Sequence, residues 1–382
     1  MGRDIIIVAG AIGRSRIGGK AWAYMQYLIG LQRLGYDVFY LEDCGEGSWV
    51  YDWDTQQTTT DLDYPASYVR DCIEQFGFKD RWIYRAGDHS KGMAVEEFLS
   101  VCSQASLLII RANPMPIWRP EYDWPKRRVF IDVDPGFTQI RLVNNDAELL
   151  KTVKHSERLF TIGQNIGNPD CPIPTVGRDW FKTVPPISLP DWPFSETNPA
   201  ENFTCVMDWR GFHDVVYKGV SYGQKDKTFP EFLELPRLTS QPILLAQIGA
   251  NPEQLAKHGW EVMPGWVPSF TPWSYRTFIQ NSRAEFGVAK HMYVETCGGW
   301  FSDRSVCYLA SGRPVLVQDT GQKGWLPIGE GILTFRDLPE ALQGIEAINA
   351  DYEHHQRAAR ALAEHFFSAD RVLSSLLEAA MN

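Results

Sequence analysis

Residues 300–321, Trp-Phe-Ser-Asp-Arg-Ser-Val-Cys-Tyr-Leu-Ala-Ser-Gly-Arg-Pro-Val-Leu-Val-Gln-Asp-Thr-Gly, decide the fold of this chain. Ser302 and Asp303 are helix-start residues, and Gly312 is a helix stop. Residues 314–317 then read as a short buried strand, closed by a polar turn at 318–321. The start of a helix offers unpaired N–H groups and a partial positive charge to an anion. In open α/β sheets, ligands sit beyond the carboxyl ends of the strands. One segment therefore supplies both halves of a site for phosphate and sugar.

The same grammar runs outward in both directions. Residues 4–9 are apolar and β-branched, and 10–19 form a loop bearing glycine and arginine. A helix over 21–34 is closed by Gly35, and the next strand follows at 38–41. This strand–helix–strand opening implies a parallel sheet. Further strands are predicted at 107–110, 129–133 and 159–162, with helices at 66–77 and 95–104. Prolines crowd residues 184–200 and forbid both helix and central strand there, so this stretch reads as a linker. The pattern then restarts with strands at 203–207, 243–247, 260–263 and 284–288. Helices are predicted near 229–235, 252–257, 273–281 and 302–311. A last helical tract, about 339–379, breaks near Asp351 and Ser368. The expected architecture is α/β, with two Rossmann-like domains facing across a cleft. An N-terminal domain (1–184) would be joined by a linker (185–200) to a C-terminal domain (201–360), and a final helix (361–382) would return to the first domain.

At 382 residues the chain suits two domains, and its 44% hydrophobic and 22% charged content is that of a soluble globular protein. A net charge of −10 argues against a broad nucleic-acid-binding face. The seven cysteines show no C-x-x-C pair, so reduced thiols in the cytoplasm are expected. No stretch reads as a secretory signal or an integral membrane segment.

Several residues are candidates for chemistry. Gly18 and Gly19 either let a ligand approach the backbone or make a tight turn; the loop lacks both the G-x-G-x-x-G and P-loop patterns. Asp132 and Asp134 end a predicted strand and share a face; a carboxylate there can act as a general base, although Asp134-Pro135-Gly136 is also ordinary turn chemistry. Arg210 closes the first strand of the second half, and Lys218 and Lys225 follow as phosphoryl-binding cations. Glu295 lies eight residues before Asp303, with Gly298 and Gly299 between. Ser302 or Asp303 can cap the next helix. Arg304 opposes the helix dipole unless it meets an anion. The eight histidines form no ligand spacing or triad, and Cys297 has no paired base.

These residues resemble the two-Rossmann (GT-B type) glycosyltransferases. Gly312-Arg313-Pro314-Val315 is similar to their donor-binding segment. The Gly18-Gly19 loop, the stretch 34–38 and the returning C-terminal helix also look like that superfamily. Residues 222–225, 288–290, 299–305 and 329–331 resemble a narrower group of bacterial glycosyltransferase-like proteins. The resemblance implies a nucleotide-diphosphate-sugar donor on the second half, with no other cofactor and no metal, and an acceptor of unknown identity on the first half. Arg210 and Lys225 would hold the diphosphate, with Lys218 as the alternative lysine. Ser302, Asp303 and Arg304 would contact phosphate or ribose, and Asp319, Thr320 and Gly321 would face the sugar. Retaining relatives often carry two glutamates eight apart where this chain has Gly299 and Cys307, and inverting relatives often carry a histidine in the first loop, which here has none. The expected function is transfer of a sugar to a small molecule, glycan or natural product, with Asp134 as base. The alternatives are a nucleotide-sugar epimerase or a non-catalytic nucleotide-sugar-binding protein.

Overall fold

The computed structural model describes residues 3–53, 55–195 and 199–382, so residues 196–198 of the expected linker lie outside the described residues. The strands of the first sheet are β1 (Ile5–Ala9), β2 (Asp37–Asp43), β3 (Trp82–Ala86), β4 (His89–Gly92), β5 (Ala105–Arg111), β6 (Arg127–Asp132), β7 (Arg158–Thr161) and β8 (Trp180–Lys182). Their order in space is β8-β7-β6-β5-β1-β2-β3-β4, and only the β3–β4 pair is antiparallel. The second sheet holds β9 (Phe203–Asp208), β10 (Ile243–Ile248), β11 (Glu261–Pro264), β12 (Ala284–Gly287), β13 (Val315–Gln318) and β14 (Ile332–Phe335). It is parallel throughout, in the order β11-β10-β9-β12-β13-β14. In each sheet the strand order reverses at the first strand, β1 or β9, and opens a crevice at the carboxyl ends of its neighbours. β5 is buried along its whole length, as a central parallel strand covered on both faces must be.

The helices that place the site are α1 (Gly18–Arg33), α2 (Phe137–Val143), α3 (Pro272–Asn281), α4 (His291–Thr296) and α5 (Asp303–Ala310). Three more follow: α6 (Leu338–Ala350), α7 (Tyr352–Leu362) and α8 (Ala369–Met381). The C-terminal tract breaks at Asp351 and Ser368 as expected, with a π-helical turn at Ala363–Phe367. There the chain meets the linker: Ile187 N–H donates to Phe367 O at 2.8 Å, and Ala369 N–H to Ile187 O at 2.9 Å. α8 then packs on α1, so close that a Cβ on Gly30 would lie 2.4 Å from Leu373. One apolar core runs through both halves, with the Trp22 ring edge-on to Trp192 and Trp273 at 5.2 and 5.6 Å. Among the described residues no helix is long and apolar enough to cross a membrane.

Two expectations change. The sequence predicts no strand between 42 and 104, yet β3 and β4 extend the sheet there. Arg85 interrupts the apolar run of β3, and its charge is neutralised inside the fold by Glu121. Helix α1 also begins at Gly18 rather than at residue 21. Two glycines are weak helix formers, but contact with the second domain overrides propensity. Thr271, the N-cap of α3, stands so near that a Cβ on Gly18 would lie 2.2 Å from its carbonyl oxygen. Trp22 Nε1 donates to Pro272 O at 2.7 Å one turn further on. Gly18 thus serves close packing between domains. Gly18→Ala should lower unfolding stability by ~1–3 kcal/mol, the usual effect of overpacking. An unchanged midpoint in thermal or urea unfolding would refute this account of the contact.

Candidate functional site

Two adjoining cavities fill the cleft. The smaller, about 380 Å³, lies over the carboxyl end of β9 and is lined by Lys225, Lys290 and Arg304 from the second domain and by Arg16 and Lys20 from the first. Trp53, Trp266 and Phe270 give it an aromatic border. The larger, about 840 Å³, shares Lys20 and Arg304 with it and extends along Arg111, Asp134, Arg141 and His213.

Arg304 sits in the first turn of α5, where a cation opposes the helix dipole. Buried Glu285 in β12 accepts from its Nε at 2.5 Å, and Val206 O in β9 accepts from Nη1 at 2.9 Å. Burial works against this charge, but Glu285 outweighs it and the guanidinium pKa is raised. Ser302 caps α5, its Oγ accepting from Arg304 N–H at 3.2 Å, and it also lines both cavities.

Lys225 lies in a short turn, Lys225–Lys227, and is only 6% exposed. Among the described residues no ion pair involves it. Burial, joined by the like charges of Arg304 and Lys290, pushes its ammonium down to about 8. Lys20, in the first turn of α1, is likewise lowered, first by burial and then by Arg14.

Asp134 follows β6, and its scaffold is a second carboxylate. Fully buried Asp132 accepts from Thr138 Oγ1, Gln139 Nε2, Thr161 Oγ1 and the Asp134 N–H, at 2.6, 2.8, 2.7 and 3.0 Å. Lys290 Nζ and the Tyr293 hydroxyl, both from the second domain, donate to Asp134 Oδ1 at 2.9 and 2.5 Å. Asp134 stands deep in the molecule yet keeps 36% exposure, because an open cleft runs beside it. Burial pushes its carboxyl up, but Lys290, Tyr293 and Lys20 prevail and hold it below the ordinary value. A second cross-domain pair joins Arg111, at the end of β5, to Asp303 in the first turn of α5.

The structure brings Gly19, Lys225, Ser302 and Arg304 to the smaller cavity, and Asp134 and Asp303 to the larger. Other expected positions fall elsewhere. Arg210 lines neither cavity and is drawn into an exposed cluster with Asp214 and Asp226. Lys218 occupies the exposed turn between strands Val215–Tyr217 and Val220–Tyr222, over the Tyr217 ring. Glu295 lies on the outer face of α4, 54% exposed beside His291. Asp303 is taken by Arg111 rather than left for a ligand. Asp319, Thr320 and Gly321 form a packed turn: Asp319 Oδ1 accepts from Gly321 N–H, and Thr320 Oγ1 donates to Trp300 O. Asn165 of the first domain donates to Gly321 O and Cys297 O across the cleft. Bonds to Trp300 and Asn165 hold this turn in the packing, and it lines neither cavity. Sequence reasoning missed Arg16, Lys20, Lys290 and Tyr293. The lysine after Gly18-Gly19 was a visible signal, whereas Lys290 and Tyr293 gain meaning only from the opposing domain.

No family model and no curated protein matches the chain. Solved structures do. An alpha-glucosyltransferase in complex with UDP aligns over 100% of both chains, with a TM-score of 0.58 and 9% identity. A glycosyltransferase from Rickettsia africae ESF-5 aligns over 100% of this chain and 98% of that one (TM-score 0.51, 9% identity), and a sucrose-phosphate synthase from Thermosynechococcus elongatus over 99% and 98% (0.50, 10%). At such identities the likeness is one of fold: the chain has the two-Rossmann architecture of GT-B glycosyltransferases along its full length.

Proposed function

We propose that the chain transfers a sugar from a nucleoside-diphosphate donor, held in the smaller cavity, to an acceptor in the larger one. The observation that carries this reading is the charge of the smaller cavity, where five cationic side chains face a single lining carboxylate, Asp208. Arg304 and Lys290 have anionic partners, but Lys225 and Lys20 form no ion pair among the described residues. A diphosphate would supply the missing negative charge, and it would do so where electrons accumulate as the sugar departs. Trp266 and Phe270 offer flat apolar faces suited to a base. UDP in the similar alpha-glucosyltransferase structure makes uracil the first base to test.

In the proposed reaction an acceptor hydroxyl oxygen bonds to the anomeric carbon. The bond from that carbon to the diphosphate oxygen breaks, and its electron pair leaves with the nucleotide. The hydroxyl proton passes to Asp134. Gly19, Ser302 and Arg304 line both cavities and so would stand at the junction where the two substrates meet. A similar structure holds a 13-mer DNA beside UDP. The net charge of −10 favours a smaller acceptor here.

Lys225 makes the reading testable. Its folded pKa of about 8 lies below that of an unfolded lysine, so the folded protein binds fewer protons between the two values. Stability should therefore rise with pH from about 8 toward 10.5, by at most about 3 kcal/mol. Lys225→Met should lack that rise; parallel urea-unfolding profiles for the two proteins would sink the assignment. An anion beside Lys225 favours its charged form, so UDP binding should take up a proton above pH 8. Calorimetry should show wild-type affinity falling by up to about tenfold per pH unit there, and a weaker, flatter profile for Lys225→Met. If UDP, GDP, dTDP and ADP all fail to bind the folded protein at pH 7, the donor-site reading is wrong.

A further inference from the structure

Lys290 links the two cavities through its side chain. Its ammonium donates to Asp134, on the wall of the larger cavity, yet Lys290 itself lines the smaller one. It also lies 3.9 Å from the centre of the Phe212 ring, whose face can hold a cation in more than one position. Asp134 has its Oδ1 occupied by two donors, Lys290 and Tyr293, both carried by or just before α4. A carboxylate so engaged is a weak proton acceptor, because both donors stabilise its charged form.

We infer that Lys290 is a positioning residue that couples the two substrates, leaving Asp134 for the diphosphate so that the carboxylate becomes a competent base only when the donor is bound. This inference rests on the donor-site reading above. An incoming diphosphate competes with Asp134 for one ammonium. When Lys290 turns to a phosphate oxygen, Asp134 loses its nearest opposite charge and regains affinity for a proton. Tyr293 continues to hold it in place, and Asp132 fixes its backbone. The sugar is then exposed to an activated acceptor only in the ternary assembly, which limits loss of donor to water.

Coupling of this kind is reciprocal: if the donor weakens the Asp134–Lys290 pair, the pair must weaken donor binding by the same factor. The test is a calorimetric cycle with UDP as probe, on wild type, Asp134→Asn, Lys290→Met, Lys290→Arg and the Asp134→Asn/Lys290→Met double variant. Asp134→Asn should bind UDP about fivefold tighter or more, since its lysine is released to the phosphate. Lys290→Met should bind more weakly, Lys290→Arg should recover most of the loss, and the gain from Asp134→Asn should vanish in the Lys290→Met background. Tyr293→Phe, which leaves Asp134 with Lys290 as its remaining side-chain donor, should bind UDP no more tightly than wild type. An equal gain in both backgrounds would mean that removing any nearby anion suffices, and would overturn the inference. So would no gain in Asp134→Asn, or a clear gain in Tyr293→Phe, while wild type binds. Failure of folded wild type to bind any nucleoside diphosphate would overturn the donor-site reading, and this inference with it.

Discussion

A guanidinium in the first turn of a helix stands in an unfavourable field, and Arg304 is there because Glu285 and the Val206 carbonyl hold it. This one buried arrangement ties β9, β12 and the start of α5 into a single corner at the point where the strand order of the second sheet reverses. Desolvation makes a buried ion pair a poor source of net stability, yet removal of either partner alone is costly. The arrangement is better understood as a fixture. It places one cation immovably under the smaller cavity, and Lys225 and Lys290 gather around that cation. Lys225 carries a burial penalty that nearby Cys205 and Asp208 relieve only in part, so its ammonium remains below its ordinary value.

The two domains meet through a dry centre and a polar margin. Trp22, Trp192, Trp273 and Phe301 belong to one continuous core, while Arg111–Asp303, Lys290–Asp134 and the Asn165 contacts lie along the cleft. The apolar contacts set how near the domains come. Of the polar ones, Lys290 and Asp134 border the cavities, whereas the Asn165 contacts fasten the domains through a turn that lines neither.

Much of this was legible in the sequence, and the rest was not for identifiable reasons. Local periodicity reveals the alternating strands and helices, the restart after the prolines and the returning tail. Lys225, Ser302 and Arg304, singled out because their positions relative to a strand end or helix start carry chemical meaning, line the smaller cavity. Arg210, Lys218 and Glu295 were misplaced because position after a strand does not say which way a side chain turns, and nearby Asp214 and Asp226 claimed the arginine. Asp319 to Gly321 are hydrogen-bonded to Phe335, Gly299, Gln322 and Asn165 and line neither cavity. Lys290 and Tyr293 were invisible for a different reason: they acquire their role from Asp134, more than 150 residues away in the chain, and no local pattern encodes that meeting. Gly18 pointed to a ligand but answered to Thr271.

The crossing of the linker and the C-terminal tract has a mechanical consequence. Two covalent segments pass between the domains, and at Ile187 and residues 367–369 they are fastened to each other. A single flexible tether would act as a ball joint and let one domain swivel, twist and drift. Two tethers clamped side by side resist both swivel and twist. Wide departures of that kind would have to break backbone hydrogen bonds at the clamp. The clamp thereby protects the register of the groups that face each other across the cleft, Lys290 and Asp134 among them.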